Sequence, residues 1–344
     1  MPRTGPANLI TDVPGLRVGN AHDGKLRSGV TVVLPDGPGH AMTAAIDVRG
    51  GATGTRESHA LEPEGSIDDI HGLVISGGSA FGLDAATGVQ AWLRERGIGF
   101  PVATARVPIV PQAILFDLLN GGDKSWQKQT PYQGLALAAC DAASTAFALG
   151  TAGAGYGATT VNLKGGLGSA SEITPDGVIA GALVAVNAVG SVTIGEGPHF
   201  WAAPLEYGCE FGGLGWPRAS SAVDISVRMK PGPPSQSTTL AVVATDLKLD
   251  KAHLRRVAVM AHAGLARAIY PINTPLDGDV VFAISTGRRE GPCNSAILSQ
   301  LGASCANALA RAVARAIYEA TPFEGAPAGL PAWRDRFGTS GTGP

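Results

Sequence analysis

A cluster of side chains that could act as nucleophiles lies where a proline-rich stretch gives way to a β-prone one. Ser235, Ser237, Thr238 and Thr239 carry four hydroxyl groups within five positions. Three prolines and a glycine in residues 229–237 exclude a helix or an interior strand, so we expect an exposed loop there. Threonine is common at strand starts because it is β-branched, and the spacing alone therefore favours a structural role over a catalytic one.

Thr238 would acquire a specific chemistry if the chain were cut immediately before it. A hydroxyl in a strained loop can attack the preceding carbonyl carbon, and hydrolysis of the resulting ester leaves a new N-terminus. The pKa of an α-amino group is about 7.7–8.0, against about 10.4 for lysine, so a useful fraction is neutral at pH 7. An N-terminal threonine therefore brings its own base and needs no histidine.

Four further polar residues could support such a nucleophile. Asp277 and Asp279 flank a glycine just before the apolar run VVFAIST, and in an extended segment both carboxylates would share one face and hold a hydroxyl or an ammonium. Asp-Gly is also a strong turn signal. Asn187 lies inside an apolar run, needs a partner when buried, and would suit an oxyanion. Lys164 stands alone in VNLKGGLGS, a pattern more typical of a solvated surface charge.

Whole classes of function are excluded by missing motifs. The sequence has no phosphate-binding G-x-x-x-x-G-K-[ST], no dinucleotide fingerprint, no H-E-x-x-H and no calcium loop, and its seven histidines show no ligand spacing. Residues 77–82, GGSAFG, depart from the G-x-S-x-G of a nucleophile elbow and favour a strand-to-helix turn. Cys140, Cys209, Cys293 and Cys305 lack metal-binding spacing, so we expect reduced, buried thiols, no metal and no cofactor.

Composition indicates a folded chain that acts on small molecules. The 344 residues include 48 Gly and 24 Pro, with 44% hydrophobic and 16% charged residues, which predicts many turns and excludes disorder. A net charge of −2 gives no attraction to nucleic acid or to an anionic membrane. We expect one domain spanning residues 1–344, and a cytoplasmic location because the first residues lack the apolar core of a secretory signal.

Helices and strands follow from the periodicity of the apolar residues. Four helices are predicted, at Ser79–Arg96 with Ser79 capping the first turn, Gln133–Leu149, Lys251–Ala268 and Asn294–Ala320. Five strands are predicted, at 28–35, 41–51, 72–78, 238–245 and 280–285. The uncharged stretches 142–163 and 177–195 are long enough to cross a bilayer. Their Gly, Ser, Thr and Asn residues favour buried strands of a layered protein instead.

Several segments, in order along nearly the whole chain, resemble the DmpA/NylC-type autoprocessing N-terminal-nucleophile hydrolases. This family includes L-aminopeptidases/D-esterases, β-peptidyl aminopeptidases and nylon-oligomer hydrolases. The segments are DVRGGATGTRES, VISGGSAFGLDAATGV, GAGYGATTVNLKGGLGSAS, ALVAVNAVG, STTLAVVATD and TPLDGDVVFAIST. The resemblance implies an α/β (α+β) fold, a four-layer αββα sandwich of the DmpA/ornithine-acetyltransferase-like type.

The resemblance also implies roles for individual residues. Thr238 matches the nucleophile, and self-cleavage between Ser237 and Thr238 would give chains 1–237 and 238–344. Lys164 and Asn187 match active-site positions, with Asn187 as oxyanion donor. The acidic pair of the nylon-oligomer branch corresponds to Asp277 and Asp279.

Two positions depart from the family pattern. Ser237 stands where members commonly have Asn or Gly before the nucleophile. Phe116 stands where the nylon hydrolases have a tyrosine that helps to bind the oxyanion, which would leave more of that task to Asn187 and backbone amides.

The resemblance therefore implies an amidohydrolase or aminopeptidase that forms an acyl-enzyme on Thr238. Small peptides or amino-acid amides are the expected substrates, with linear ω-amino-acid oligomers as the alternative. An acyltransferase on the same fold and a non-catalytic binding protein in which Ser237 blocks processing are two further alternatives. Family members tend to form tetramers of processed heterodimers, so a homotetramer is expected.

Overall fold

Two β-sheets stacked face to face form the centre of the fold, and helices cover both outer faces. The computed structural model describes residues 2–37, 39–218, 225–230, 237–323 and 330–338. Its strands are β1 Leu16–Asp23, β2 Ser28–Pro35, β3 Met42–Val48, β4 Gly54–Arg56, β5 Asp69–Ile70, β6 Leu73–Ser76, β7 Phe100–Val102, β8 Ala105–Val107, β9 Gln112–Ile114, β10 Gly166–Ile173, β11 Ile179–Asn187, β12 Thr238–Leu247 and β13 Val280–Arg289. Its helices are α1 Ser79–Gly82, α2 Ala85–Glu95, α3 Tyr132–Asp141, α4 Lys251–Ala268, α5 Ser295–Tyr318 and α6 Trp333–Phe337.

The order of the strands places the predicted nucleophile in the middle of the larger sheet. That sheet runs β10-β11-β12-β13-β3-β5, and the smaller one runs β1-β2-β6-β9-β4, with β7 and β8 as a separate hairpin. Strand β12 pairs antiparallel with β11 and parallel with β13. Both neighbours of β12 therefore contribute groups beside its first residue, Thr238.

Three apolar clusters define four layers. Leu73 and Ile75 of the smaller sheet pack between the sheets with Leu240 and Phe282 of the larger one. Helices α2 and α3 cover the outer face of the smaller sheet, and α4 and α5 cover that of the larger. All ten residues of β12 are buried, which explains its apolar run without alternation. The αββα sandwich implied by the resemblance is confirmed.

The helices differ from the sequence prediction at two places. The predicted helix Ser79–Arg96 is interrupted between α1 and α2. Ser79 does not cap it, because the capping position falls on Gly78 and Ser79 itself has φ +51°. The predicted helix Gln133–Leu149 ends with α3 at Asp141, because Ser144 makes two backbone hydrogen bonds to Val18 of β1 instead of continuing the helix.

The two long uncharged stretches have different structures. Residues 179–187 of the second form β11 as predicted. The prediction of a buried strand in 142–163 is wrong, since these residues form turns and a short 3-10 helix, Gly153–Gly155. Gly150 and Gly153 have φ of +72° and +47°, a left-handed conformation that interrupts an extended chain. In the parts of the chain that the structure describes, every helix is too short or too polar to cross a membrane.

The cysteines are all free thiols, as predicted, but only half of them are buried. Cys140 and Cys305 lie in the core, whereas Cys293 is half-buried and Cys209 is exposed. The prediction of four buried thiols is therefore wrong for Cys209 and Cys293. Cys209 follows the 3-10 turn Ala203–Leu205 in a surface loop, where no apolar layer covers it.

Candidate active site

Thr238, the first residue of β12, lies close to the last residue of β11 and to the turn that leads into β13. Thr238 is 2% exposed and stands directly opposite Asn187, the last residue of β11, in the strand register. Ser237, one residue earlier, forms a parallel bridge with Asp277 just before β13. The register thus brings Thr238 between an amide on one side and the predicted carboxylates on the other.

The peptide bond between Ser237 and Thr238 is held by the turn before β13. The N–H of Ser237 donates to the carbonyl of Leu276 at 3.0 Å, and the carbonyl of Ser237 accepts from the N–H of Gly278 at 2.7 Å. A donor this close to the carbonyl oxygen polarises the carbon that Thr238 would attack. The same N–H would stabilise the negative charge that forms on that oxygen.

Gly278 permits this approach because it has no side chain. A Cβ at this position would lie 2.7 Å from Oγ1 of Thr238 and 2.8 Å from the carbonyl oxygen of Ala52. On the other side of the turn, a Cβ on Gly50 would lie 2.1 Å from the nitrogen of Asp279. The turn is therefore packed between Thr238 and the segment that follows β3, without space for a methyl group.

The first carboxylate of the turn is completely buried and has both oxygens bonded. Oδ1 of Asp277 accepts from the N–H of Val189 at 3.1 Å, and Oδ2 accepts from Oγ1 of Thr274 at 2.7 Å. These bonds connect the turn to the chain just beyond β11. They fix the orientation of the carboxylate relative to Thr238.

The second carboxylate can exchange a proton near neutral pH. Oδ1 of Asp279 accepts from the N–H of Thr239 at 2.7 Å, and Oδ2 accepts from the N–H of Asn273 at 2.8 Å. Burial, and then the charge of Asp277, raise the pKa of Asp279 to about 7. Its bond to the N–H of Thr239 holds Asp279 beside the first residues of β12.

The amide opposite Thr238 is held at both ends. Nδ2 of Asn187 donates to the main-chain carbonyl of Phe116 at 2.9 Å, and its Oδ1 accepts from the N–H of Thr159 at 3.0 Å. Nδ2 has a second N–H that no described residue accepts. Phe116 thus reaches the site through its backbone, and its side chain adds no hydroxyl.

The residue after Phe116, Asp117, has a buried carboxylate that anchors this part of the chain. Asp117 accepts from Oγ of Ser28 at 2.6 Å and from the N–H of Gly78 at 2.8 Å, and burial raises its pKa. The hydroxyl of Tyr132 donates to the same Ser28 oxygen at 3.0 Å. The GGSAFG segment is thus a strand-to-helix turn between β6 and α1, as predicted. Its Gly78 donates the hydrogen bond that holds Asp117 next to the site.

Lys164 lies in the core rather than on the surface, and its Nζ is directed to the backbone. The ammonium donates to the carbonyls of Gly155, Ala158 and Gly165 at 3.3, 2.9 and 2.9 Å. Burial lowers its pKa to about 7, against the attraction of Asp117. These bonds close the loop that presents Thr159 to Asn187, and no described hydrogen bond joins Lys164 to Thr238.

A second lysine, Lys230, is half-buried in the site and was missed by sequence reasoning. Its Nζ donates to Oγ of Ser237 at 3.2 Å and to Oδ1 and the main-chain oxygen of Asn187 at 3.2 and 3.3 Å. Lys230 belongs to the proline-rich segment 229–237, of which residues 231–236 lie outside the described part. A single lysine in a loop has no periodicity, so nothing in its spacing singled it out.

The arrangement around Thr238 provides a hydroxyl, two carboxylates, one lysine and an amide. In the described ranges, no group of three or more His, Cys, Asp or Glu side chains could hold a metal ion. Of the predicted residues, the structure brings together Ser237, Thr238, Asn187, Asp277 and Asp279. Such groups suit nucleophilic attack on a carbonyl carbon, with proton transfer by buried acids.

Comparison with known sequences gives matches over most of the chain. A model of peptidase family S58 matches residues 8–328. An uncharacterized aminopeptidase of Mycobacterium tuberculosis is 40% identical over 356 residues, covering 96% of this chain and 98% of the relative. A 6-aminohexanoate-oligomer endohydrolase of Kocuria sp. is 28% identical over 299 residues, covering 84% of this chain and 78% of the relative.

Solved structures share the fold at lower identity. The L-aminopeptidase D-Ala-esterase/amidase of Ochrobactrum anthropi, described as a variant of the Ntn hydrolase fold, has a TM-score of 0.69 and 23% identity, covering 94% of this chain and 90% of its own. A Burkholderia sp. β-aminopeptidase has a TM-score of 0.66 and 24% identity, covering 93% and 89%. At this identity, the similarity concerns the fold alone.

Proposed function

Because the chain belongs to peptidase family S58, and is thus a peptidase or amidohydrolase, we propose that it cuts itself before Thr238 and then uses Thr238 as its nucleophile. One observation carries this proposal. The carbonyl of Ser237 accepts a hydrogen bond from Gly278 at 2.7 Å, and a Cβ on Gly278 would lie 2.7 Å from Oγ1 of Thr238. The hydroxyl, the carbonyl and an oxyanion donor are therefore together at one peptide bond.

Self-cleavage proceeds as a shift from amide to ester followed by hydrolysis. Oγ1 of Thr238 forms a bond to the carbonyl carbon of Ser237, the bond from that carbon to the Thr238 nitrogen breaks, and the hydroxyl proton is transferred to this nitrogen. Asp279, with a pKa raised to about 7, carries the proton. Water then cleaves the ester, which leaves a carboxylate on Ser237 and a free amine and hydroxyl on Thr238.

Turnover then repeats the same chemistry on a substrate amide. The α-amine of Thr238 accepts the hydroxyl proton, Oγ1 forms an acyl-enzyme, and the leaving amine takes the proton. Asp277 and Asp279 hold the new ammonium, and Asn187 donates its second N–H to the oxyanion. Water releases the acyl group, and the enzyme returns to its starting state.

The first experiment is N-terminal sequencing and intact-mass analysis of purified protein. Wild-type protein is expected to separate into chains of 237 and 107 residues, the second beginning TTLAVV. Thr238→Ala is expected to remain one chain without amidase activity. Thr239→Val, an isosteric change of the next hydroxyl, is expected to cut normally. Full activity of an uncut Thr238→Ala chain would refute the proposal.

We propose small peptides or amino-acid amides as substrates, because the relative at 40% identity is described as an uncharacterized aminopeptidase. A specific observation favours ω-amino-acid oligomers as the second candidate. The relative at 28% identity acts on 6-aminohexanoate oligomers, and this chain has the Asp277–Asp279 pair that the resemblance assigns to that branch. Measuring kcat/KM for amino-acid amides and for 6-aminohexanoate oligomers decides between them, and an added amine acceptor reveals acyl transfer.

We also propose that the processed protein is a cytoplasmic homotetramer. Exposed apolar side chains support association of several copies: Leu214 and Trp216 are 47% and 50% exposed. Light scattering of the processed protein measures the number of subunits directly.

A further inference from the structure

Lys230 contacts both the acyl side of the proposed scissile bond and the end of the neighbouring strand β11. Its Nζ meets three oxygens: Oγ of Ser237, and both oxygens of Asn187. An ammonium has three N–H donors and no acceptor, so the charged form matches this set of oxygens. Ser237 is on the acyl side of the bond to be cut, and Asn187 is on the neighbouring strand.

The surroundings of Lys230 stabilise its charge only in part. Asp277, before β13, attracts the ammonium, whereas burial has the larger effect and lowers the pKa of Lys230 to about 7. Lys164, before β10, is the other charged group that interacts with it, and the two lysines repel each other. Asp279 titrates in the same range and lies beside Asp277.

We propose that Lys230 is a positioning residue for self-cleavage, which ties the acyl side of the scissile bond to β11 in the uncut chain. The backbone of Ser237 already pairs with the turn before β13, through Leu276 and Gly278. Lys230 links the side chain of Ser237 to Asn187 on the other neighbouring strand, β11. Ser237 is therefore held from both sides while Thr238 attacks it.

The positioning role of Lys230 ends when the chain is cut. Once the bond after Ser237 is broken, Ser237 is a chain end on the same segment as Lys230 and is no longer continuous with β12. The inference rests on the proposed self-cleavage and adds to it one residue that serves the uncut chain.

The test follows the rate of chain cleavage in freshly translated full-length protein on denaturing gels. Lys230→Met is expected to cut roughly 10- to 100-fold more slowly, the effect of losing hydrogen bonds to a charged group. Lys230→Arg keeps the charge and is expected to cut within about tenfold of wild type. Lys248→Met, at an exposed lysine paired with Glu290, is the matched control and is expected to cut at the wild-type rate.

Two further readouts distinguish positioning from a purely structural effect. Ser237→Ala removes the oxygen that Lys230 holds, so combining it with Lys230→Met is expected to slow cleavage little further. The wild-type rate is expected to fall as pH rises above about 7, where the ammonium loses its proton, and Lys230→Arg is expected to abolish that fall. The pKa of Asp279 lies in the same range. The pH profile of Lys230→Arg is therefore compared with that of wild type, so that the part due to Lys230 can be identified.

The outcomes separate this inference from the proposed function. If wild type cuts and Lys230→Met cuts equally fast, or if Lys230→Arg is inactive because a neutral amine is needed as base, the positioning role is wrong. If wild type never cuts, the proposed function itself fails. Thermal unfolding of Thr238→Ala with and without Lys230→Met shows whether the variant folds, and if it does not, the Lys230→Arg profile alone decides.

Discussion

The two flanks of Thr238 are built in different ways. The carboxylate flank, Asp277 to Asp279, is one short turn whose acids bond mainly to backbone N–H groups. The amide flank is Asn187 with the groups that hold it, and these come from distant parts of the chain: Phe116, Thr159 and Lys230. One flank is local, and the other is assembled by the fold.

This difference indicates a division of labour. The carbonyl of Ser237 is bonded by Gly278 of the carboxylate flank rather than by Asn187. We therefore expect Gly278 of the carboxylate flank to supply the oxyanion donor of self-cleavage, and Asn187 of the amide flank to supply that of turnover of external substrates. The following predictions test this division.

The largest effect is expected from Gly278→Ala. The added methyl would lie 2.7 Å from Oγ1 of Thr238, so either the nucleophile or the oxyanion donor must move. Self-cleavage is expected to slow ~100-fold or more, measured as the fraction of cut chain over time. Gly134→Ala in α3, where nothing lies within 4 Å, is the control. Cutting at the normal rate in a folded Gly278→Ala chain would remove Gly278 from the mechanism.

A smaller loss, confined to turnover, is expected from Asn187→Ala. Loss of an oxyanion donor lowers kcat by roughly 10²–10³, with little change in KM. Self-cleavage is expected to slow by no more than about tenfold, because the substitution removes only one of the three oxygens that Lys230 bonds. Asn307→Ala, which removes a half-buried amide of α5 paired with Arg267, is the control. An equal loss in both reactions would show that the two flanks are not separable.

The smallest effect concerns the pH dependence of stability. The pKa of Asp279 is raised from 3.8 to about 7, so the folded chain keeps a proton that the unfolded chain has lost in this range. Asp279 therefore lowers the free energy of unfolding as pH rises from the unfolded pKa to the folded one, by up to ~1.4 kcal/mol per pH unit. Above the folded pKa it causes no further loss.

Asp279→Asn, compared in the uncut Thr238→Ala chain, is expected to remove this slope. The measurement is the free energy of unfolding in denaturant at several pH values. Parallel curves for the two chains would mean that the folded chain does not raise the pKa of Asp279.

Much of the site was accessible from the sequence because each resembling segment contributes one local piece. TPLDGD supplies the acidic turn, and STTLAVVATD supplies the buried strand that begins at Thr238. DVRGG supplies Gly50, whose lack of a side chain lets the turn pack closely. Five of the strands were equally clear, and β2 was predicted with its observed bounds.

The errors occur where distant contacts override local preference. The helix predicted to reach Leu149 ends at Asp141 because Ser144 bonds to β1. Lys164 has the pattern of a surface charge, yet three backbone carbonyls hold it in the core. Lys230 carries no pattern at all.

The amino-acid sequence by itself determined the layered fold and the chemical groups at hand, because periodicity and residue type are properties of neighbouring positions. Only the tertiary structure decided which of these groups meet. The register of β11 against β12 placed Asn187 opposite Thr238, and the packing of the turn placed an N–H on the carbonyl of Ser237. Such contacts depend on how segments far apart in the chain fit together.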